Sequence, residues 1–200
     1  PETIDAIAGA LARLGLDVER IGHARQLAGR LTAGDRWDLV FNFCEGLHGF
    51  GRESLVPALL DAWQIPYVFS DPLACAVTLH KGVAKHVVRG HDLATSDAAL
   101  VASAECVRNL KLRFPLFAKP GAAGTGKGIS TASRAGSMEE LEAVCAALLA
   151  RHRQPVIIEE FLPGREFTVG LVGTGAEAGA IGTMEVHLGP KADPGVYTFD

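Results

Sequence analysis

Two hundred residues, 48% hydrophobic and 21% charged, are enough to bury one sizeable core or two small ones. A net charge of −4 and a pI near 6.0 leave no basic footprint for nucleic acid, and no apolar run approaches bilayer-spanning length. Cys44, Cys75, Cys106 and Cys145 are far apart, without metal-ligand or disulfide-framework spacing, and no signal-peptide pattern opens the chain; reduced, buried thiols in a cytoplasmic protein are expected.

The chain starts at Pro1, directly in a helical pattern. Ile4, Ile7, Leu11 and Leu14 share one face, with Thr3 as N-cap and Gly15 as the stop. Val18 and Ile21 suggest a short strand, and residues 24–31 a helix. Leu39-Val40-Phe41-Asn42-Phe43 reads as a buried strand, residues 54–63 as a helix with Leu55, Leu59 and Leu60 inward, and Tyr67-Val68-Phe69 as another strand. Such alternation predicts a mostly parallel sheet covered by helices, with ligands at the carboxyl ends of the strands.

Near residue 70 the organisation changes. Residues 71–88 read as two short helices meeting at His80-Lys81, and residues 98–101 and 116–119 as strands. Ser137-Met138-Glu139-Glu140 is a capping box opening a helix to about Arg151. Residues 156–160, 167–172 and 180–186 read as strands of one antiparallel sheet. Two domains are therefore expected, an α/β unit over 1–75 and an α+β unit over 76–200. The chain stops at Asp200 within an expected strand or hairpin, so it reads as a partial chain.

The most telling stretch is Phe117-Ala118-Lys119-Pro120 running into the glycine-rich residues 121–128. An apolar strand delivers a lysine to its end and opens into a loop of free backbone N–H groups, a combination that favours an anion. Gly121, Gly126 and Lys127 nearly spell a Walker A loop. That motif requires Ser or Thr after its lysine and must open a helix. Here Gly128 follows, then the strand-favouring Ile129-Ser130-Thr131. The pattern predicts a hairpin, and a merely flexible hairpin tip stays open as an alternative. Downstream, residues 156–170 hold Glu159, Glu160 and Glu166 beside very apolar neighbours. Carboxylates at a strand end suit the donor groups of an adenine edge and a ribose, although solvated strand faces around a Pro163-Gly164 turn are the plainer explanation for any one of them.

Taken in order, these segments resemble the ATP-grasp superfamily, and within it the D-alanine–D-alanine ligases and close relatives. The resemblance rests on Val40-Phe41-Asn42 with Leu47-His48-Gly49 and Gly51-Arg52-Glu53, on Ile65-Pro66-Tyr67 with Ser70-Asp71-Pro72, and on Thr78 to Lys81. It continues through Phe117 to Pro120 with Gly124, Thr125, Lys127 and Gly128, and through Ile158-Glu159 to Gly170. It implies an N-terminal parallel-sheet (pre-ATP-grasp, Rossmann-like) domain, its first strand expected before Pro1. An α+β ATP-grasp domain follows, incomplete at its C-terminus.

The implied activity is an ATP-dependent carboxylate–amine ligase that forms an amide through an acyl phosphate. The alternative is a non-catalytic or regulatory nucleotide-binding protein on the same fold. By resemblance, Lys81 and Lys119 would contact ATP phosphates, and Gly124, Thr125 and Gly126 would lie on the phosphate-covering loop. Glu159 and the backbone of Phe161 and Leu162 would meet the adenine, and Glu166 the ribose hydroxyls. His48 would sit by the first substrate's carboxylate or the acyl phosphate, oriented by Glu53. The cofactors implied are ATP and Mg2+, with metal ligands expected beyond Asp200; Glu177 and Glu185 precede the expected place and are not assigned. The partners implied are a small amino acid or peptide substrate, no nucleic acid and no membrane, with a homodimer as one option. Three positions depart from the family pattern: Gly126 for a second serine, Ala123 for an acidic residue and His80 for aspartate. They leave ATP binding expected and the amino-acid substrate open.

Overall fold

The computed structural model describes residues 2–124 and 126–189. Two units divide between Ala76 and Val77, and the expected chain end near Asp200 lies outside the described residues.

In the first unit α1 (Glu2–Arg13) starts earlier than its apolar pattern, so Thr3 lies inside the helix instead of capping it. Gly15, at φ +83°, follows its end. Residues 18–21 form no strand: two apolar residues give a segment little to pack, and no ladder partner among the described residues joins it. Helix α2 (Ala24–Ala33) opens on an unusual reciprocal cap, in which the Gln26 N–H donates to His23 Nδ1 at 3.4 Å and the His23 N–H donates to Gln26 Oε1 at 3.0 Å. Gly34, left-handed at φ +102°, closes the helix by donating to the Arg30 and Leu31 carbonyls.

Strand β1 (Val40–Phe41) pairs in parallel with β2 (Tyr67–Val68), with α3 (Leu55–Ala62) between them. The core unites Leu27 and Leu31 of α2, Val40, Val56 and Leu60 of α3, and Ile65. The segment 39–43 is not uniformly buried: Val40 and Asn42 point inward, while Phe41 and Phe43 are 36% and 46% exposed. Extended backbone alternates faces, so even a largely apolar five-residue segment exposes every second residue. A 3-10 turn (Arg52–Ser54) leads into α3, and its inward face is Val56, Pro57 and Leu60, with Leu55 outward. The chain passes from one unit to the next within α4 (Pro72–Leu79).

After α4 comes α5 (Lys81–Gly90), so the two expected short helices do meet at His80. His80 stands where the resemblance expects aspartate yet performs the N-cap task, its Nδ1 accepting from the Val83 N–H at 3.2 Å. Strands β3 (Ala98–Val101), β4 (Leu116–Pro120), β5 (Arg134–Ala135) and β6 (Val156–Glu160) form one antiparallel sheet in the order β3-β6-β4-β5. Helix α6 (Met138–His152) packs on one face, where Leu141, Cys145 and Leu148 meet Leu116, Ala118, Val156 and Ile158. Ser137 caps α6 by accepting from the Glu140 N–H, but Glu140 reaches back to the Gly136 amide rather than to that of Ser137. Burial pushes the Cys145 thiol up to about 11, whereas Cys106 is exposed, contrary to the expectation of buried thiols throughout.

Two expectations for this unit need correction. The strand returning from the glycine loop is β5, not residues 129–131, because Thr131–Ser133 winds into a 3-10 turn first. Among the described residues, strands β7 (Glu166–Val172) and β8 (Gly179–Val186) pair only with each other. Both edges of β6 are already taken, by β3 and β4, so no ladder beside it is open to β7.

Candidate nucleotide site

The face of the β3-β6-β4-β5 sheet opposite α6 carries the chemistry. Register sets it: Phe117 stands opposite Glu159 and Lys119 opposite Ile157. Alternation along β4 buries Leu116, Ala118 and Pro120 in the core and turns Phe117 and Lys119 to the other side. Lys119 and Glu159 are thus near neighbours on one face. Lys119 Nζ forms a short ion pair with Glu159 Oε2, and Lys85 Nζ, from α5, meets Glu159 Oε1 at 2.8 Å. Burial alone would push this carboxyl up, but the two ammoniums, Lys119 foremost, outweigh it and hold Glu159 below its ordinary 4.5. Glu159, expected at the adenine, faces two lysines.

Lys81 serves the loop twice. Its backbone N–H donates to the Gly121 carbonyl at 2.9 Å and its ammonium donates to the Ala123 carbonyl. On the other side the Gly121 N–H donates to Pro155 O at 2.8 Å and the Ala122 N–H to Gln154 Oε1 at 2.8 Å. The root of the glycine loop is therefore fastened from both flanks. Farther along, Gly126 and Gly128 adopt φ of +71° and +79°, a region that only glycine enters without strain. The N–H groups of Lys127 and Ile129 turn back onto the Gly124 and Gly126 carbonyls. Thr125 lies outside the described residues.

Beyond β6, the Phe161 N–H donates to Pro115 O at 2.9 Å, so that donor is spoken for. The Leu162 N–H has no hydrogen-bond partner among the described residues, and its side chain is 69% exposed. The Phe161 ring lies 6.1 Å from that of Phe117, with the Arg134 guanidinium 4.6 Å above it. Glu166 is exposed at the start of β7, in the separate hairpin. Glu185, on the facing strand, is held by both nitrogens of the Arg165 fork at 2.6 and 2.7 Å, which keeps its carboxyl low.

In the first unit, His48 is exposed and Glu53 partly buried. Glu53 pairs with Arg52 at 3.3 Å, and among the described residues nothing joins it to His48. The expected orienting bond is absent there because the 3-10 turn sets Arg52 beside Glu53.

Sequence reasoning missed Lys85, Gln154 and Arg134. Only Lys85 left a signal, standing one helical turn after Lys81.

The family model for the D-ala D-ala ligase C-terminus matches residues 86–199. The D-alanine–D-alanine ligase of Nitratidesulfovibrio vulgaris (Hildenborough) is 35% identical over 167 residues, 82% of this chain and 52% of that protein. The D-alanine–D-alanine ligase of Aquifex aeolicus is 33% identical, aligned over 100% of this chain and 64% of its own length. The chain therefore spans between half and two thirds of these relatives. Among solved structures, the Helicobacter pylori D-Ala-D-Ala ligase superposes with a TM-score of 0.61 at 21% identity, over 78% of this chain and 49% of that one. The VanG D-Ala:D-Ser ligase of Enterococcus faecalis gives 0.62 at 25%, over 74% and 43%. The mixed α/β fold is that of these ligase structures. With the family model matching more than half of the chain and the Nitratidesulfovibrio and Aquifex ligases 35% and 33% identical, the chain belongs to the D-ala D-ala ligase C-terminus family.

Proposed function

We propose that the protein to which this chain belongs is an ATP-dependent carboxylate–amine ligase, forming an amide or dipeptide bond with release of ADP and phosphate. The observation that carries this reading is Lys119 on the open sheet face beside the fastened loop, its side chain 23% exposed and Glu159 its one ion-pair partner among the described residues. Such an ammonium has donors left for a phosphate. The relatives are named for amino-acid substrates, and amino acids or peptides are the substrate class assigned here.

In this reading ATP phosphorylates a substrate carboxylate, and an amine attacks the acyl phosphate. Lys119 and Lys81 neutralise phosphate oxygens. The glycine loop, rooted at Gly121 and free of Cβ atoms at its turns, covers them and keeps water from the acyl phosphate. The Leu162 N–H and the carbonyls flanking Phe161 offer the donor and acceptors an adenine edge requires. Glu166 is assigned to the ribose, and His48 and Glu53 to the substrate carboxylate, on the family resemblance. The domain arrangement, an N-terminal Rossmann-like unit before an ATP-grasp unit, belongs to the same proposal; the parallel β1–β2 pair supports it. For Mg2+ the described residues offer no cluster of three His, Cys, Asp or Glu side chains, so they do not make its site. No helix among the described residues is long and apolar enough to cross a membrane.

Phosphate release by the full-length protein, measured with ATP and magnesium across D- and L-amino acids and dipeptides, tests the proposal. Release stimulated by an amine-bearing substrate is expected. Nucleotide binding without stimulated release by any of them would leave the non-catalytic alternative in its place.

A further inference from the structure

Lys85 has no role in the reading above, yet its ammonium is heavily bonded. Its Nζ lies 2.8 Å from Thr95 Oγ1, 2.8 Å from Ser96 Oγ, 2.9 Å from the Ser96 carbonyl and 2.8 Å from Glu159 Oε1. An ammonium has three N–H donors, so protein acceptors already occupy them all. Its side chain is 13% exposed. Lys85 therefore has nothing to offer a ligand directly. Lys119, on the other oxygen of the same carboxylate, is more open and has that single ion-pair partner among the described residues.

We propose that Lys85 is a positioning residue: it neutralises Glu159 from within the protein and thereby frees Lys119 to take a nucleotide phosphate. The inference rests on the nucleotide-binding part of the proposed function. Its logic is charge balance on a largely desolvated face. With one carboxylate between two ammoniums, the cluster carries one net positive charge that an anion can use. If Lys119 swings to a phosphate, Glu159 keeps a partner in Lys85, and no buried charge is stranded. Without Lys85, Glu159 would hold Lys119 as its sole counter-ion, and each phosphate bond would have to be made by breaking that pair. A charge-assisted hydrogen bond is worth about 1.5–3 kcal/mol, so phosphate affinity should fall by about tenfold to a hundredfold.

Calorimetry of ATP and of adenosine binding to the full-length protein tests this, with the wild type, Lys85→Met, Lys85→Gln and the double variant Lys85→Met/Glu159→Gln. Lys85→Gln retains a hydrogen-bonding group for Thr95 and Ser96 while removing the charge, which guards against a folding defect in Lys85→Met. ATP affinity is expected to drop by about tenfold or more in both single variants, while adenosine, lacking phosphates, loses much less. In the double variant no carboxylate competes for Lys119, so ATP affinity should recover relative to Lys85→Met. Equal losses for ATP and adenosine, an unchanged ATP affinity, or no recovery in the double variant would overturn the assignment. A wild-type protein that binds no ATP would instead overturn the nucleotide reading beneath it.

Discussion

Gly128→Ala tests the claim that the glycine loop is shaped by what lies under it. At φ +79° an L-residue pays about 1–2 kcal/mol for the left-handed backbone. The new methyl would also stand 2.8 Å from Pro120 Cγ and 2.7 Å from His152 Nε2, roughly 1 Å inside normal contact. Pro120 is fully buried at the end of β4 and cannot retreat, and His152 Nε2 is itself buried without a hydrogen-bond partner among the described residues. Overpacking of this kind costs about 1–3 kcal/mol. The sum is at least about 2 kcal/mol, or a Tm lower by about 4 °C or more, unless the loop shifts to relieve it. A shifted loop would show as weaker ATP binding with stability retained. Thermal unfolding and calorimetry on the same preparation distinguish the two outcomes. Gly90→Ala, in α5 with open space around the added carbon, serves as the control: ATP affinity should be unchanged and Tm unchanged or slightly raised, since alanine favours a helix over glycine by up to about 1 kcal/mol. Adding His152→Ala to Gly128→Ala should recover part of the loss. A Gly128→Ala protein with wild-type Tm and wild-type ATP affinity would refute the reasoning.

Two further outcomes follow from the same sheet. Glu159 has a folded-state pKa below its ordinary 4.5, so its contribution to stability is present above that value and is lost as pH falls through the lowered one. Urea unfolding between neutral and acid pH should therefore show a steeper acid loss for the wild type than for Glu159→Gln, and parallel curves would contradict the ion-pair assignment. Ile158→Ala removes a side chain with 0% exposure from between the sheet and α6. It should destabilise the protein by about 2–5 kcal/mol, and a chemical-denaturation loss well under that range would mean the site collapses around the gap.

Elements with strong local signals were legible in the sequence: the Ser137 cap, the helix break at His80, and strands β3, β4 and β6 all stand within a residue or two of expectation. The failures came where pairing decides. Residues 18–21 and 129–131 have strand-forming side chains but no ladder to join, and whether β7 belongs to the main sheet depends on which edges β6 has left. At the site, Lys119 could be found because a lysine ending an apolar strand is unusual. Lys85 left only its spacing from Lys81 as a signal, since a lysine in KGVAK otherwise reads as a solvated helical face until Thr95, Ser96 and Glu159 are seen converging on it. His80 shows the converse: a departure from the family pattern looked like a functional change, and its ring nitrogen simply does the capping a carboxylate would do.

Lys81 and Lys85 stand four residues apart on α5, so they share one side of the helix one turn apart. One grips the root of the glycine loop and the other grips Glu159. A rigid helix cannot slide or turn to loosen one grip without straining the other. Loop anchorage and the charge balance beneath it are thus geared together through about 6 Å of backbone, and any force that reaches α5 must reset both at once.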